Sequence, residues 1–77
     1  GTLWVQVGSF RDRDNATRLV ARLTVKRYPA TISPGRSATA SWVVRVGTYP
    51  DRSAAVITQA ALQREGFSGF VVTDTSR

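Results

Sequence analysis

Few side chains in this 77-residue chain could do covalent chemistry. There is no His and no Cys, and Asp and Glu together number five. Metal sites of the usual nitrogen or sulfur kind are excluded on that count, as are Ser–His and Cys–His nucleophile pairs. Two facing carboxylates can hydrolyse a glycosidic bond. Asp12, Asp14 and Asp51, however, all stand at the starts of helical patterns, where a carboxylate accepts from free backbone N–H groups and suits the helix dipole. Gly8 and Gly47 lack the Gly-Lys-Ser or Gly-x-Gly-x-x-Gly spacing of a phosphate loop. No catalytic residue, metal ligand or cofactor is therefore assigned. What remains is binding chemistry: an amide at Gln6, a guanidinium at Arg45, and a net charge of +6 in which ten of eleven basic residues are Arg. Such a balance suits an anionic partner, and the planar Arg fork pairs with carboxylate or phosphate at two points.

The elements that must hold these groups are legible in the periodicity. Leu3-Trp4-Val5-Gln6-Val7-Gly8-Ser9-Phe10 alternates, with Leu3, Val5 and Val7 on one side and Trp4 and Gln6 on the other, as a half-buried strand does. Ala16, Leu19, Val20 and Leu23 then form a helical stripe. Asp12 or Asp14 caps that helix, and Pro29 pushes Tyr28 out of helical space, so it stops near Lys26-Arg27. Tyr28 to Ile32 reads as a short strand whose Pro29 belongs at an edge or a first position. Ser33 to Ser41 is small, polar and aperiodic, and is read as a mobile loop.

The phrase then repeats. At an offset of 39, Val5, Val7, Gly8, Asp12, Arg13, Ala16, Ala21 and Leu23 meet identical residues, ending at Leu62. Ser9 meets Thr48, Phe10 meets Tyr49, and Tyr28 meets Phe67. Two copies make internal pseudo-symmetry rather than a solenoid. A second helix is expected from about Ser53 to Glu65, capped by Asp51 or Ser53 and ended by Gly66. Thr58 and Gln59 replace the apolar pair of the first helix, while Val56 and Ile57 fall off its face, which leaves the rotation of this helix open. Phe70 to Thr73 forms the last strand, and Asp74 to Arg77 should fray.

The order β-α-β, loop, β-α-β predicts an α+β split-βαβ fold. It has a four-stranded sheet, two helices on one face, the long strands as parallel neighbours in the centre and the short strands at the edges. Gln6 and Arg45 then share the uncovered face, the place for a ligand. At 77 residues the chain has room for one domain with a thin core. No apolar run approaches a membrane span, and the chain opens directly into strand pattern. It is read as one domain, residues 1–77 with an ordered core over about 3–73, cut from a longer protein.

Val5-Gln6-Val7-Gly8-Ser9-Phe10, Asn15-Ala16, Leu19 and Leu23 resemble the first half of a SPOR domain. Tyr28-Pro29-Ala30 resembles its second strand. Val44-Arg45-Val46-Gly47-Thr48-Tyr49, Ala55, Leu62 and Gly66-Phe67 resemble its second half. The resemblance spans about residues 3 to 73. It implies a non-catalytic βαββαβ module that binds bacterial peptidoglycan, prefers glycan strands stripped of stem peptides, and gathers at the division septum. It further implies a periplasmic or extracellular location and a parent such as a cell-wall hydrolase or lytic transglycosylase. No nucleic acid, membrane or cofactor partner is expected, and the domain is taken as a monomer. Arg27 departs from the family pattern, standing where a helix-ending Gly is usual; so do Thr48, Thr58 and Gln59.

A stripped glycan offers C–H faces, hydroxyls, amides and lactyl carboxylates. Trp4 supplies a ring face, Gln6, Ser9 and Asn15 neutral hydrogen bonding, and Arg45 a carboxylate partner. Phe10, Trp42 and Thr48 form a second rank of candidates. Phe10 also suits a core plug, Asn15 a helix cap and Ser9 the strand-to-helix turn. Trp42 shares parity with Val44 and Val46, on the helix side unless the strand bulges. The competing reading is a single-stranded nucleic-acid binder of the RNA-recognition type. Such a face carries two or three stacking aromatics on the central strands, where this chain has Gln6, Gly8, Arg45 and Gly47 and only Trp4 aromatic.

Overall fold

A computed structural model describes residues 2–35, 38–39 and 41–73. The elements run β1 Leu3–Phe10, α1 Arg13–Val25, β2 Ala30–Pro34, β3 Trp42–Tyr49, α2 Arg52–Arg64 and β4 Phe70–Thr73. The sheet order is β2-β3-β1-β4, so the long strands are central and the short ones at the edges, as their lengths predict. The Cα extents of 33 × 31 × 15 Å fit one sheet covered by one helix layer.

The core lies between them. Val5, Val44 and Val46 project from the central strands and are fully buried, together with Ala16 and Leu23 of α1 and Ala55 and Leu62 of α2. Phe67 closes the layer beyond α2, and Ile32 and Val71 pack in from the edge strands. Both caps are aspartates. The Asp12 carboxylate accepts from Asp14 N at 3.0 Å, and that of Asp51 from Ala54 N at 2.9 Å. The two helix ends also match: Arg27 at φ 70 and Gly66 at φ 93 hold the left-handed position past each C-terminus.

Several expectations are corrected. The central strands run antiparallel, with Gln6 opposite Arg45, not parallel. β1 and β2, joined through α1, run in the same direction, but β3 lies between them in the opposite sense. β2 begins at Ala30 rather than Tyr28 and continues through Ser33 and Pro34, because its pairing with β3 reaches Trp42. Pro34 sits on an edge strand, where its missing donor is tolerated. The remainder of the predicted loop lies partly outside the described residues, and Asp74 to Arg77 lie wholly outside them. α2 is not rotated: Ala55 and Leu62 are buried at the places of Ala16 and Leu23. Gln59 is accommodated because its Nε2 donates to the Gly69 carbonyl at 2.7 Å, and Val56 and Ile57 simply face solvent.

Each central strand carries one extra residue. β1 shifts register between Gln6 and Gly8, and β3 between Val46 and Tyr49. Gly47 takes φ 67, and a Cβ there would stand 2.6 Å from the Tyr49 ring; at Gly8 it would meet the Phe10 ring at 3.0 Å. In both units a glycine lets the aromatic two residues on fold back over the strand and plug the core.

Candidate functional site

The bulges decide which side chains reach the open face. Strict alternation from Val5 and Val7 would turn Ser9 inward. With one extra residue in β1, Gly8 pairs with Val44 and Ser9 with Val43, so Ser9 is exposed on the open side while Phe10 packs against the core. The matching bulge exposes Thr48 and packs Tyr49 inward. Directly paired residues share a face, which sets Trp4, Gln6 and Ser9 of β1 beside Arg45 and Thr48 of β3.

The centre of this face is one assembly. Gln6 and Arg45 are register partners and also the matched positions of the two units. The pseudo-twofold axis therefore passes between them. The exchange of Leu3–Tyr49 for Phe10–Trp42 in the same ladder agrees with this. Arg45 lies over the Trp4 ring, its guanidinium carbon 3.9 Å from the centroid, a close cation–π stack. Trp4 Nε1 and Arg45 Nε are both buried and have no hydrogen-bond partner among the described residues. Donor-only groups left so are unusual, each costing about 1–3 kcal/mol. Both lie where the pseudo-twofold axis crosses the open face.

The sheet's other open-face positions were not singled out from sequence. Phe70 pairs with Gln6 and Val72 with Trp4, and Phe70 is 56% exposed. Beyond the Gln6–Phe70 pair β4 ends, leaving a cleft of about 250 Å³ between Gln6–Ser9 and Ser68–Phe70. The Gln59 bond to Gly69 O fixes the far wall of that cleft from α2. On the other side, Thr31 pairs with Arg45 and Ser33 with Val43. One half of the face is thus apolar and aromatic, the other lined by hydroxyls. The signal that could have found Phe70 was its parity with Val72, which alternates against core-facing Val71.

Three candidates fall elsewhere. Trp42 packs against the core beneath α1, with the Arg13 guanidinium carbon 5.2 Å from its ring centroid, and is a helix-side residue. Asn15 is exposed in the first turn of α1, in the layer opposite Gln6 and Arg45; Asp12, not Asn15, is the cap. Phe10 plugs the core edge.

The titrating groups with altered affinity lie on the helix side. Lys26 Nζ and Glu65 Oε1 are 2.9 Å apart, and Tyr28 Oη donates to Glu65 Oε2 at 3.2 Å. The Lys26 bond holds the Glu65 carboxyl below its ordinary range. Desolvation, then the bond to Glu65, raises the Tyr28 phenol. Among the described residues no three His, Cys, Asp or Glu side chains gather, and no helix is long and apolar enough to cross a membrane.

Comparison with known proteins places this geometry. The family model of the SPOR domain matches residues 1–73. No curated protein matches the chain. Among solved structures, the solution structure of the peptidoglycan binding domain of the B. subtilis cell wall lytic enzyme CwlC has the same fold. The two superpose with a TM-score of 0.82 at 22% identity, over 94% of this chain and 87% of that one. With its repeat, its two glycine bulges and its open antiparallel sheet, the chain belongs to the SPOR domain family.

Proposed function

We propose that the open sheet face binds peptidoglycan through its glycan strands, and strands without stem peptides in preference to intact ones. The observation that carries this reading is the Trp4–Arg45 stack beside Gln6 on an uncovered sheet. It joins a flat hydrophobic platform, an amide and a cation within one sugar's reach. The peptidoglycan-binding role of the CwlC domain, which shares the fold, supports it.

The preference for stripped strands follows from chemistry. The stem peptide is attached through the lactyl carboxylate of muramic acid. Removing the peptide frees that carboxylate for the Arg45 fork and lets the strand lie flat on the sheet. Phe70 and the cleft beside it suit a sugar C–H face or an acetamido group next to the Gln6 amide. The hydroxyls of Ser9 and Thr48 lie on either side of the axis, on the same face. Recognition of this kind positions a parent protein on the wall outside the cytoplasm, and at the septum where stripped strands accumulate. The domain acts as a monomeric module and supplies no catalysis.

Binding to isolated sacculi before and after an amidase strips the peptides is the test, with a short single-stranded RNA as comparison. Retention should rise after stripping and no muropeptide should be released. Equal retention before and after would remove the preference, and tighter binding to RNA that Arg45→Ala weakens would replace the ligand class.

A further inference from the structure

The repeat supplies an internal comparison for the charge. Residues 11–27, α1 and its flanks, carry six basic and two acidic side chains; the matched residues 50–66 carry two of each. Two thirds of the net +6 is therefore concentrated on the α1 unit. Both helices do the same structural work, burying an Ala and a Leu behind an Asp cap. Arg18, Arg22 and Arg27 are matched in the second unit by Ile57, Ala61 and Gly66. Packing thus requires a guanidinium at none of the three places.

At Arg27 the backbone opposes it. The φ of 70 is left-handed space, which its counterpart fills with glycine. Arg18 is exposed, and among the described residues Lys26–Glu65 is the one ion pair. Asp14 precedes Arg18 by one turn without pairing to it. Arg22 is held over the Phe67 ring at 5.2 Å. That contact restrains the head group before any ligand arrives, while the guanidinium keeps donors for an anion. Arg18 and Arg22 are one turn apart, ~6 Å along the axis, and Arg27 follows at the helix end.

We propose that α1 carries a second binding site, on the opposite side of the domain from the open sheet face, for a linear phosphodiester polymer. Arg18, Arg22 and Arg27 each take one phosphate. The spacing selects the ligand. A stripped wall glycan carries a carboxylate only on every second sugar, farther apart than one helical turn. A phosphodiester of a short polyol carries a charge at every unit, and its paired free oxygens fit the Arg fork. The sheet and α1 face opposite ways, so two polymers can be held at once. The site does not depend on the glycan reading of the sheet.

Titration of the 77-residue chain with synthetic poly(glycerol phosphate), at low and moderate salt, tests this. Arg18→Gln/Arg22→Gln/Arg27→Gly should weaken binding at least tenfold and flatten the salt dependence by about two to three in log–log slope. The variant should melt no lower than the parent and should keep its retention on stripped sacculi. Arg64→Gln, on the other helix, should change affinity less than twofold. Arg18→Gln alone, at an exposed position, should still cost several-fold if the triple variant folds poorly. Failure of the parent to bind, an unchanged triple variant, or an equal loss in Arg64→Gln would overturn the site. Tighter binding to a polyuronate or to anionic vesicles than to poly(glycerol phosphate) would overturn the choice of ligand.

Discussion

Lys26 and Glu65 meet at 2.9 Å across the helix layer, and they are counterparts, 39 residues apart. Gln6 and Arg45 have the same relation across the sheet. Both pairs are self-matched under the repeat, so one pseudo-twofold axis enters the domain between Gln6 and Arg45 and leaves between Lys26 and Glu65. The ion pair joins the C-terminal ends of α1 and α2, beside the Tyr28–Glu65 bond. The opposite end of the axis is the candidate binding site.

The ion pair gives the domain an acid sensitivity of definite sign. The Glu65 carboxyl is held below its ordinary range by Lys26. Its contribution is present above the unfolded-state value and is lost as pH falls through the lowered folded value. Melting curves of the parent should therefore decline on acidification more steeply than those of Glu65→Gln. Because the pair is exposed, the difference at neutral pH should be small.

The left-handed positions predict two opposite effects. Gly47→Ala must place a Cβ into the Tyr49 ring at φ 67, and should destabilise by about 1–3 kcal/mol. Arg27→Gly relieves a left-handed side chain and should stabilise by about 0.5–1 kcal/mol. Denaturant midpoints of the two variants measure both.

At the open face, Gln6→Ala should weaken glycan binding several-fold through loss of neutral hydrogen bonds worth about 0.5–1.5 kcal/mol each. Arg45→Ala should lose about 1.5–3 kcal/mol, and that loss should shrink with added salt, unlike the Gln6 loss. Arg45→Lys should recover only part of it, because an ammonium keeps the charge without the stack or the fork. Unchanged binding in both alanine variants would show that the ligand lies elsewhere.

Phe70→Ala tests the aromatic half of the face. The side chain is 56% exposed beside Gln6, so stability should hold within about 0.5 kcal/mol. Binding should fall by about 1 kcal/mol if a sugar face stacks there. The matched change Thr31→Ala, on the hydroxyl half, should cost less.

The element order, the helix layer, the edge placement of the short strands and the capping aspartates all follow from local pattern. Alternation reports which side of a strand is apolar, and a 3.6-residue stripe reports which side of a helix is. The repeat adds that Gln6 and Arg45 are equivalent. None of this contains the direction in which β3 runs beside β1, because that is fixed by a partner thirty-nine residues away. Nor does alternation survive a bulge: one added residue at Val7 reverses the parity that follows, sending Ser9 out and Phe10 in. The same pairing sets Phe70 beside Gln6 and brings the Arg45 guanidinium onto the Trp4 ring. The residue types that could bind a ligand are thus written in the chain, while their assembly into one face depends on strand pairing that only the folded sheet provides.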